Sequence, residues 1–224
     1  MKVSVELEAL KVAIEEAKKL AKARRFKQSV DLIISYSDLS TKQPEAKINE
    51  TIELPHVSPE RKAKVCVIAE GDLAIKAKEA ADAVIGKEEL NKAQGDRKYA
   101  RSLARNFNFF IAQVDLMPLI GRSLGPVLGP RGKMPTPLPG TADPIPLIRK
   151  LQNSVRVRIK DSPVVQCSIG SEDMPVDQLA ENAKTLIESV EDRLKVPHHI
   201  GGVFVKLSMG PAVPVKIEKR RKAA

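Results

Sequence analysis

The strands of this chain keep two different rhythms, and the change from one to the other constrains the architecture more than any other feature. Lys47–Leu54 alternates apolar and polar residues, as a half-buried antiparallel strand should. Val155–Lys160 and Val164–Ile169 return to that alternation late in the chain. Ser29–Tyr36, Val203–Ser208 and Val213–Ile217 also read as strands. Between these ends the rhythm changes. Lys64–Ala69, Ala83–Ile85 and Asn108–Ala112 are short continuous apolar runs, the form of a strand buried on both faces. Helical stretches separate them at Leu73–Ala81, Lys87–Ala93 and from Leu116 to Leu124. Strand–helix alternation at this spacing predicts a small parallel sheet with helices on both faces. The expected architecture is therefore an α+β discontinuous domain, an antiparallel sheet with helices, built from both termini. It is interrupted by an inserted Rossmann-like α/β domain. We set the boundaries at 1–64 and 154–224 for the first and 65–153 for the second.

Three more helices complete the expectation. Residues 3–23 carry an apolar stripe of Val5, Leu10, Ile14, Ala17 and Leu20. Pro144–Gln152 closes the middle lobe, capped by Thr141 or Asp143. Pro175–Arg193 turns Val176, Leu179, Ala183, Leu186, Ile187 and Val190 inward, with Asp173 as its cap and Met174 as its staple. Arg24-Arg25-Phe26-Lys27 has two readings: positive charge suited to a helix C-terminus, or a basic patch with one exposed aromatic.

Leu116–Gly140 is crowded with glycine and proline, with Gly-Pro at Gly125-Pro126 and Gly129-Pro130, then Arg131-Gly132-Lys133-Met134-Pro135. Proline lacks an N–H and fixes φ, so the run reads as a loop and not as a continuing helix or central strand. Leu119, Ile120, Leu124, Val127, Leu128 and Met134 give it apolar anchors. It is either a structural loop closing one lobe or a phosphate cradle presenting Arg122, Arg131 and Lys133. It lacks the Gly-Lys-Ser/Thr ending of an NTP-binding loop and the Gly-x-Gly-x-x-Gly of a dinucleotide site.

Composition narrows the function. Net charge is +10, which suits a polyanionic partner. Aromatics are 3% with no Trp, so base stacking on aromatic platforms is not the main binding mode. No apolar run reaches a membrane span, and Met1–Glu6 lacks a signal-peptide apolar region. Cys66 and Cys167 lie in apolar strand-like runs and read as buried free thiols in a reducing compartment. His56 and the adjacent His198-His199 have no further ligands nearby, so no metal, cofactor or catalytic set is expected. The alternative, a nucleotide-binding enzyme using the middle lobe, needs a glycine-rich turn after the first buried strand. Ala69-Glu70-Gly71-Asp72 is acidic there and repels phosphate.

The run Leu128–Pro135 resembles, in order and spacing, the signature loop of the large-subunit ribosomal protein L-one family, the protein of the mobile stalk. The resemblance covers nearly the whole chain and implies the same interrupted architecture. It carries RNA-binding roles onto Arg25, Phe26, Lys27, Asp31, Lys160, Asp161, Lys206, Ser208, Met209 and Gly210. Lys206–Gly210 resembles the family's Thr-Met-Gly turn, with Ser208 keeping the hydroxyl. Leu207 departs where Thr is frequent, and Gly201-Gly202 where some members offer a serine. The signature residues are Gly125, Gly129, Pro130, Arg131, Gly132, Lys133, Met134 and Pro135. The resemblance further implies large-subunit rRNA, own-operon mRNA and exit-site tRNA as partners, a cytoplasmic ribosomal location, and a monomer when free. The basic end, Lys219-Arg220-Arg221-Lys222, resembles the archaeal form.

Overall fold

Residues 6–37, 39, 47–58, 62–160, 162–194 and 199–216 are described by the computed structural model of this chain. The first half runs α1 (Leu7–Leu20), β1 (Ser29–Ser37), β2 (Asn49–Glu53), β3 (Val65–Ile68), α2 (Asp72–Ala77), β4 (Ala83–Ile85), α3 (Lys87–Gly95), α4 (Arg97–Asn106) and β5 (Phe109–Gln113). The second half runs α5 (Met117–Ser123), α6 (Gly125–Leu128), β6 (Thr136–Leu138), α7 (Pro144–Gln152), β7 (Ser154–Arg158), β8 (Val164–Ser171), α8 (Val176–Arg193), β9 (His199–Leu207) and β10 (Val213–Pro214). Two compact units result: Met1–Arg61 with Ser154–Ala224, and Lys62–Asn153. The expectations at Val5, Asp161, His198, Ile217 and Lys219–Lys222 lie outside the described residues.

The first unit has a four-stranded sheet of order β10-β9-β1-β8 and a two-stranded sheet of β2 and β7, with every pairing antiparallel. Strand period two sends Val30, Leu32, Ile34 and Tyr36 to one face, where they are buried. Their cross-strand neighbours are apolar too: Leu32 faces Cys167 on β8 and Val205 on β9. Leu10, Ala13, Ile14 and Ala17 of α1 and Leu179, Ala183, Leu186 and Val190 of α8 join the same core. The opposite face carries Ser29, Asp31, Ile33 and Ser35, all half-buried. It is there that the polar residues of the site collect.

The second unit is one parallel sheet of order β4-β3-β5-β6. β3 is buried at every position. Cys66, Ile68, Phe110 and Ala112 pack with residues of α3 to α6 in one cluster, and Val65, Val67, Phe109 and Ile111 with residues of α2 and α7 in another. Helices therefore cover both faces.

Several expectations change. Helix α1 is shorter than 3–23, and Leu20 is 60% exposed, so Ala13 replaces it in the inward stripe. Asp143 caps α7, its Oδ1 accepting from Ile145 N–H at 3.1 Å. Asp173 does not cap α8, which starts after Pro175 without a side-chain cap; its carboxylate meets Lys27 Nζ at 2.9 Å instead. The glycine–proline run is not one loop: its start is the helix expected from Leu116 to Leu124, here α5. It holds α5, α6 and β6, with proline near the start of each helix, where its missing N–H has no intrahelical partner to lose. Pro137 lies in β6, an edge strand, where proline is tolerated. Met134 is 47% exposed and anchors nothing, whereas Leu124 and Leu128 are fully buried.

Helix α4 was not foreseen. Its signals are Gly95, where α3 stops, and Asp96, whose Oδ1 accepts from the N–H groups of Lys98 and Tyr99. Only Ala100, Leu103 and Ala104 are buried, too few large apolar residues to show a stripe.

Candidate nucleic-acid interface

The end of β9 folds back onto the start of β1 through a set of hydrogen bonds. Ser208 N–H donates to Ser29 C=O at 3.0 Å, and Ser29 N–H donates to Ser208 Oγ at 3.2 Å. The two hydroxyls lie 2.6 Å apart, one donating to the other. Met209 N–H donates to Gln28 Oε1 at 3.1 Å. Gln28 Nε2 donates in turn to Lys22 C=O at 3.2 Å, while its own carbonyl accepts from Glu172 N–H at 3.0 Å. Gln28 is 2% exposed. One buried residue thus ties three places: its side-chain amide the chain after α1 and the turn after β9, and its backbone carbonyl the turn before α8.

On this latch stand two exposed apolar side chains, Phe26 at 55% and Met209 at 60%. Neither is core packing. Exposed Lys22, Arg24, Arg25 and Lys27 surround Phe26 in the sequence. They lie beyond the end of α1, so this cluster is not the helix's own last turn. Lys206 sits across from Asp31 in the β1–β9 ladder, with Ser168 on Asp31's other side in β8. These residues share the open face with Ser29 and Ser35.

Arg25, Phe26, Lys27, Asp31, Lys206, Ser208, Met209 and Gly210 therefore belong to one end of one sheet. Lys160 does not. It precedes Val164, which pairs with Ser35, six residues along β1 from Ser29, about 20 Å away at strand rise. Gly210 has ordinary backbone geometry, and a Cβ there would meet Ala21 and Leu207 side chains at 3.4 Å. The fold itself does not demand glycine at 210. Ser29 and Gln28 are the site residues that the sequence reading missed. Gln28 carries a signal: it is polar yet shares the inward phase of Val30, Leu32 and Ile34.

The signature loop is built differently from a phosphate cradle. Lys133 Nζ donates to the carbonyls of Ala104 at 3.0 Å and Phe107 at 2.6 Å, closing the C-terminal end of α4. Its ammonium is directed at carbonyls and not at solvent anions. Lys133 N–H also returns to Leu128 C=O at 3.0 Å. Gly132 has φ 68°, in the left-handed region. A Cβ at Gly129 would lie 2.9 Å from Gly125 C=O, so only glycine fits. Arg122 and Arg131 remain exposed.

Among the described residues no group of His, Cys, Asp and Glu could hold a metal ion. His56 Nε2 instead meets Glu181 at 2.6 Å. No described helix is long and apolar enough to cross a membrane. Both thiols are free, and burial pushes each up to about 12.

The profile of the ribosomal protein L1p/L10e family matches residues 17–211, spanning both units and the whole latch. The chain belongs to this family. A member from Thermofilum pendens named "Large ribosomal subunit protein uL1" is 47% identical over 216 residues, covering 96% of each chain. Like-named members from Hyperthermus butylicus and Methanocaldococcus jannaschii are 43% and 42% identical. They are aligned over 94% and 96% of this chain and 97% and 98% of their own. The relatives are archaeal, in line with the resemblance drawn from the chain's basic end, and family members are ribosomal proteins and not enzymes.

Proposed function

We propose that this chain is a structural protein of the large ribosomal subunit that binds large-subunit rRNA at the mobile stalk, through the latch of its first unit. The reading rests above all on the exposure of Phe26 and Met209 beside a turn held by Gln28, Ser29 and Ser208. A folded chain has no internal use for two large apolar side chains set among Lys22, Arg24, Arg25 and Lys27. Against RNA they have one: they exclude water from hydrogen bonds between the turn and the ribose 2′-hydroxyls, which proteins read in A-form RNA. The cations supply the phosphate contacts that position the RNA.

The same surface serves a second duty in this proposal. It represses translation of the chain's own operon by binding an mRNA that mimics the rRNA site, and on the ribosome the protein assists release of deacylated tRNA from the exit site. The free protein is a monomer of the cytoplasm. Its architecture is a discontinuous RNA-binding domain, 1–64 and 154–224, interrupted by an inserted Rossmann-like domain, 65–153. A chain in which residues 66–152 are replaced by a short Gly/Ser linker stays folded and RNA-competent. Loss of its circular dichroism signature would count against the inserted-domain reading.

A nucleotide site in the second unit has no support. The turn after β3 presents Glu70 and Asp72 around a single glycine. The experiment is an electrophoretic shift against a stalk rRNA fragment, with a scrambled duplex of equal length as control. Tight binding of the fragment alone is expected, and equal binding of both overturns the specific reading.

A further inference from the structure

We propose that the exposed face of α4 is a second RNA-contacting surface, gripping the sugar–phosphate backbone of double-stranded RNA. It lies in the second unit, apart from the latch, and depends on the proposed function only for the choice of RNA over DNA. Arg97, Arg101 and Arg105 follow one another at four-residue steps, each advancing about 40° around the helix and about 6 Å along it. Lys98 falls at about 100° from Arg97, so four cations share one sector. All four are exposed, while Ala100, Leu103 and Ala104 face the core. The helix has no carboxylate of its own. None of these cations forms an ion pair among the described residues.

Three features favour a phosphate backbone as the occupant. The axial step is comparable with the separation of successive phosphates along one strand, and a guanidinium fork matches a phosphate's paired oxygens. Like charges four residues apart lower helix stability, a cost that phosphate neutralisation removes. The face is also free of exposed large apolar side chains, which in this unit are Ile75, Val114 and Met134, none of them on α4. Protein interfaces centre on apolar and aromatic residues, so this face is a poor match for a protein partner.

The signature loop completes the surface. Lys133 takes the carbonyls of Ala104 and Phe107, which neutralises the negative end of α4 and leaves Arg105 pointing outward beside it. Arg131, two residues before Lys133, is exposed as well.

The test uses the full chain, its Arg101→Gln/Arg105→Gln variant and the matching Lys/Lys variant. Glutamine and arginine are similar helix formers, so folding should persist and is checked by melt. Binding of a mixed-sequence RNA duplex is followed by anisotropy across salt. The Gln variant should lose about 1.8 from the log–log salt slope, or about sixtyfold in affinity near 0.1 M salt, since each phosphate contact contributes about 0.9. The Lys variant should keep the slope. Preference for stalk rRNA over a scrambled duplex should stay unchanged in both, because the latch is intact. Unchanged affinity and slope in the folded Gln variant overturns the proposal. A similar loss on a DNA duplex is expected of a grip on phosphates, and an equal loss on poly-glutamate overturns the proposal in favour of an acidic protein. Failure of the wild type to prefer stalk rRNA would count against the latch and leave the slope test of α4 intact.

Discussion

Replacing Gln28 by methionine tests whether the latch holds the site. The two side chains have similar volume, so no cavity opens. What disappears is the pair of bonds to Met209 N–H at 3.1 Å and Lys22 C=O at 3.2 Å. A polar group left unpaired away from water costs about 1–3 kcal/mol. Both groups belong to segments with exposed side chains, which moves each toward the lower end, and burying a thioether offsets part of the loss. The expected destabilisation is therefore about 1–2 kcal/mol, a sizeable share of the roughly 5–15 kcal/mol typical of a native domain. Urea unfolding should show a lower midpoint with unchanged slope. At a urea-free temperature where the variant is folded, affinity for stalk rRNA should fall more than affinity for a scrambled duplex, because the Met209 turn has lost its anchor. A variant within about 0.5 kcal/mol of wild type, the range of ordinary surface changes, with rRNA preference intact would refute the latch.

Other outcomes follow from single contacts. Lys133→Met leaves the carbonyls of Ala104 and Phe107 uncapped and should cost about 1–3 kcal/mol in urea unfolding without changing the latch's rRNA preference; unchanged stability with weaker binding of both stalk rRNA and a scrambled duplex would restore a phosphate role for Lys133. Asn182→Ala removes bonds to His56 N–H, His56 C=O and Ile169 C=O from a fully buried site and should cost about 3–5 kcal/mol by thermal or urea melt. Cys66 and Cys167, with thiols raised to about 12 by burial, stay protonated at neutral pH. Thiol reagents should label neither in the native protein and both after unfolding.

Much of this structure was legible in the residues, for definite reasons. Period-two alternation at Lys47–Leu54 marked a strand with one buried face, and Ile48, Ile52 and Leu54 are buried as it requires. The all-apolar run at Val65–Ile68 marked a strand with no solvent face. Helix α4 was hidden because alanines fill its inward positions, and alanine carries little hydrophobic signal against four cations. The glycine–proline run misled because proline stops a helix only in its interior, whereas here it sits at helix starts and on an edge strand. In the site, Phe26 and Met209 were singled out from sequence, but their exposure was not readable from it. Lys133 was taken as a candidate anion ligand because sequence shows a charge and not the carbonyls that fold against it. Gln28 was missed although its phase was wrong for a surface residue.

The most direct measurement is the ratio of dissociation constants for a scrambled duplex and a stalk rRNA fragment at one salt concentration, taken for wild type and Ser208→Val. The substitution removes the hydroxyl that meets Ser29 Oγ at 2.6 Å and that, in the proposed function, bonds a ribose 2′-OH. Folding is checked by melt. The account predicts a wild-type ratio far above one and a drop of about tenfold to a hundredfold in the variant, from the same unpaired-group penalty of about 1–3 kcal/mol, with scrambled-duplex binding nearly unchanged. A folded variant that keeps the wild-type ratio would contradict the latch as the place where this chain reads RNA.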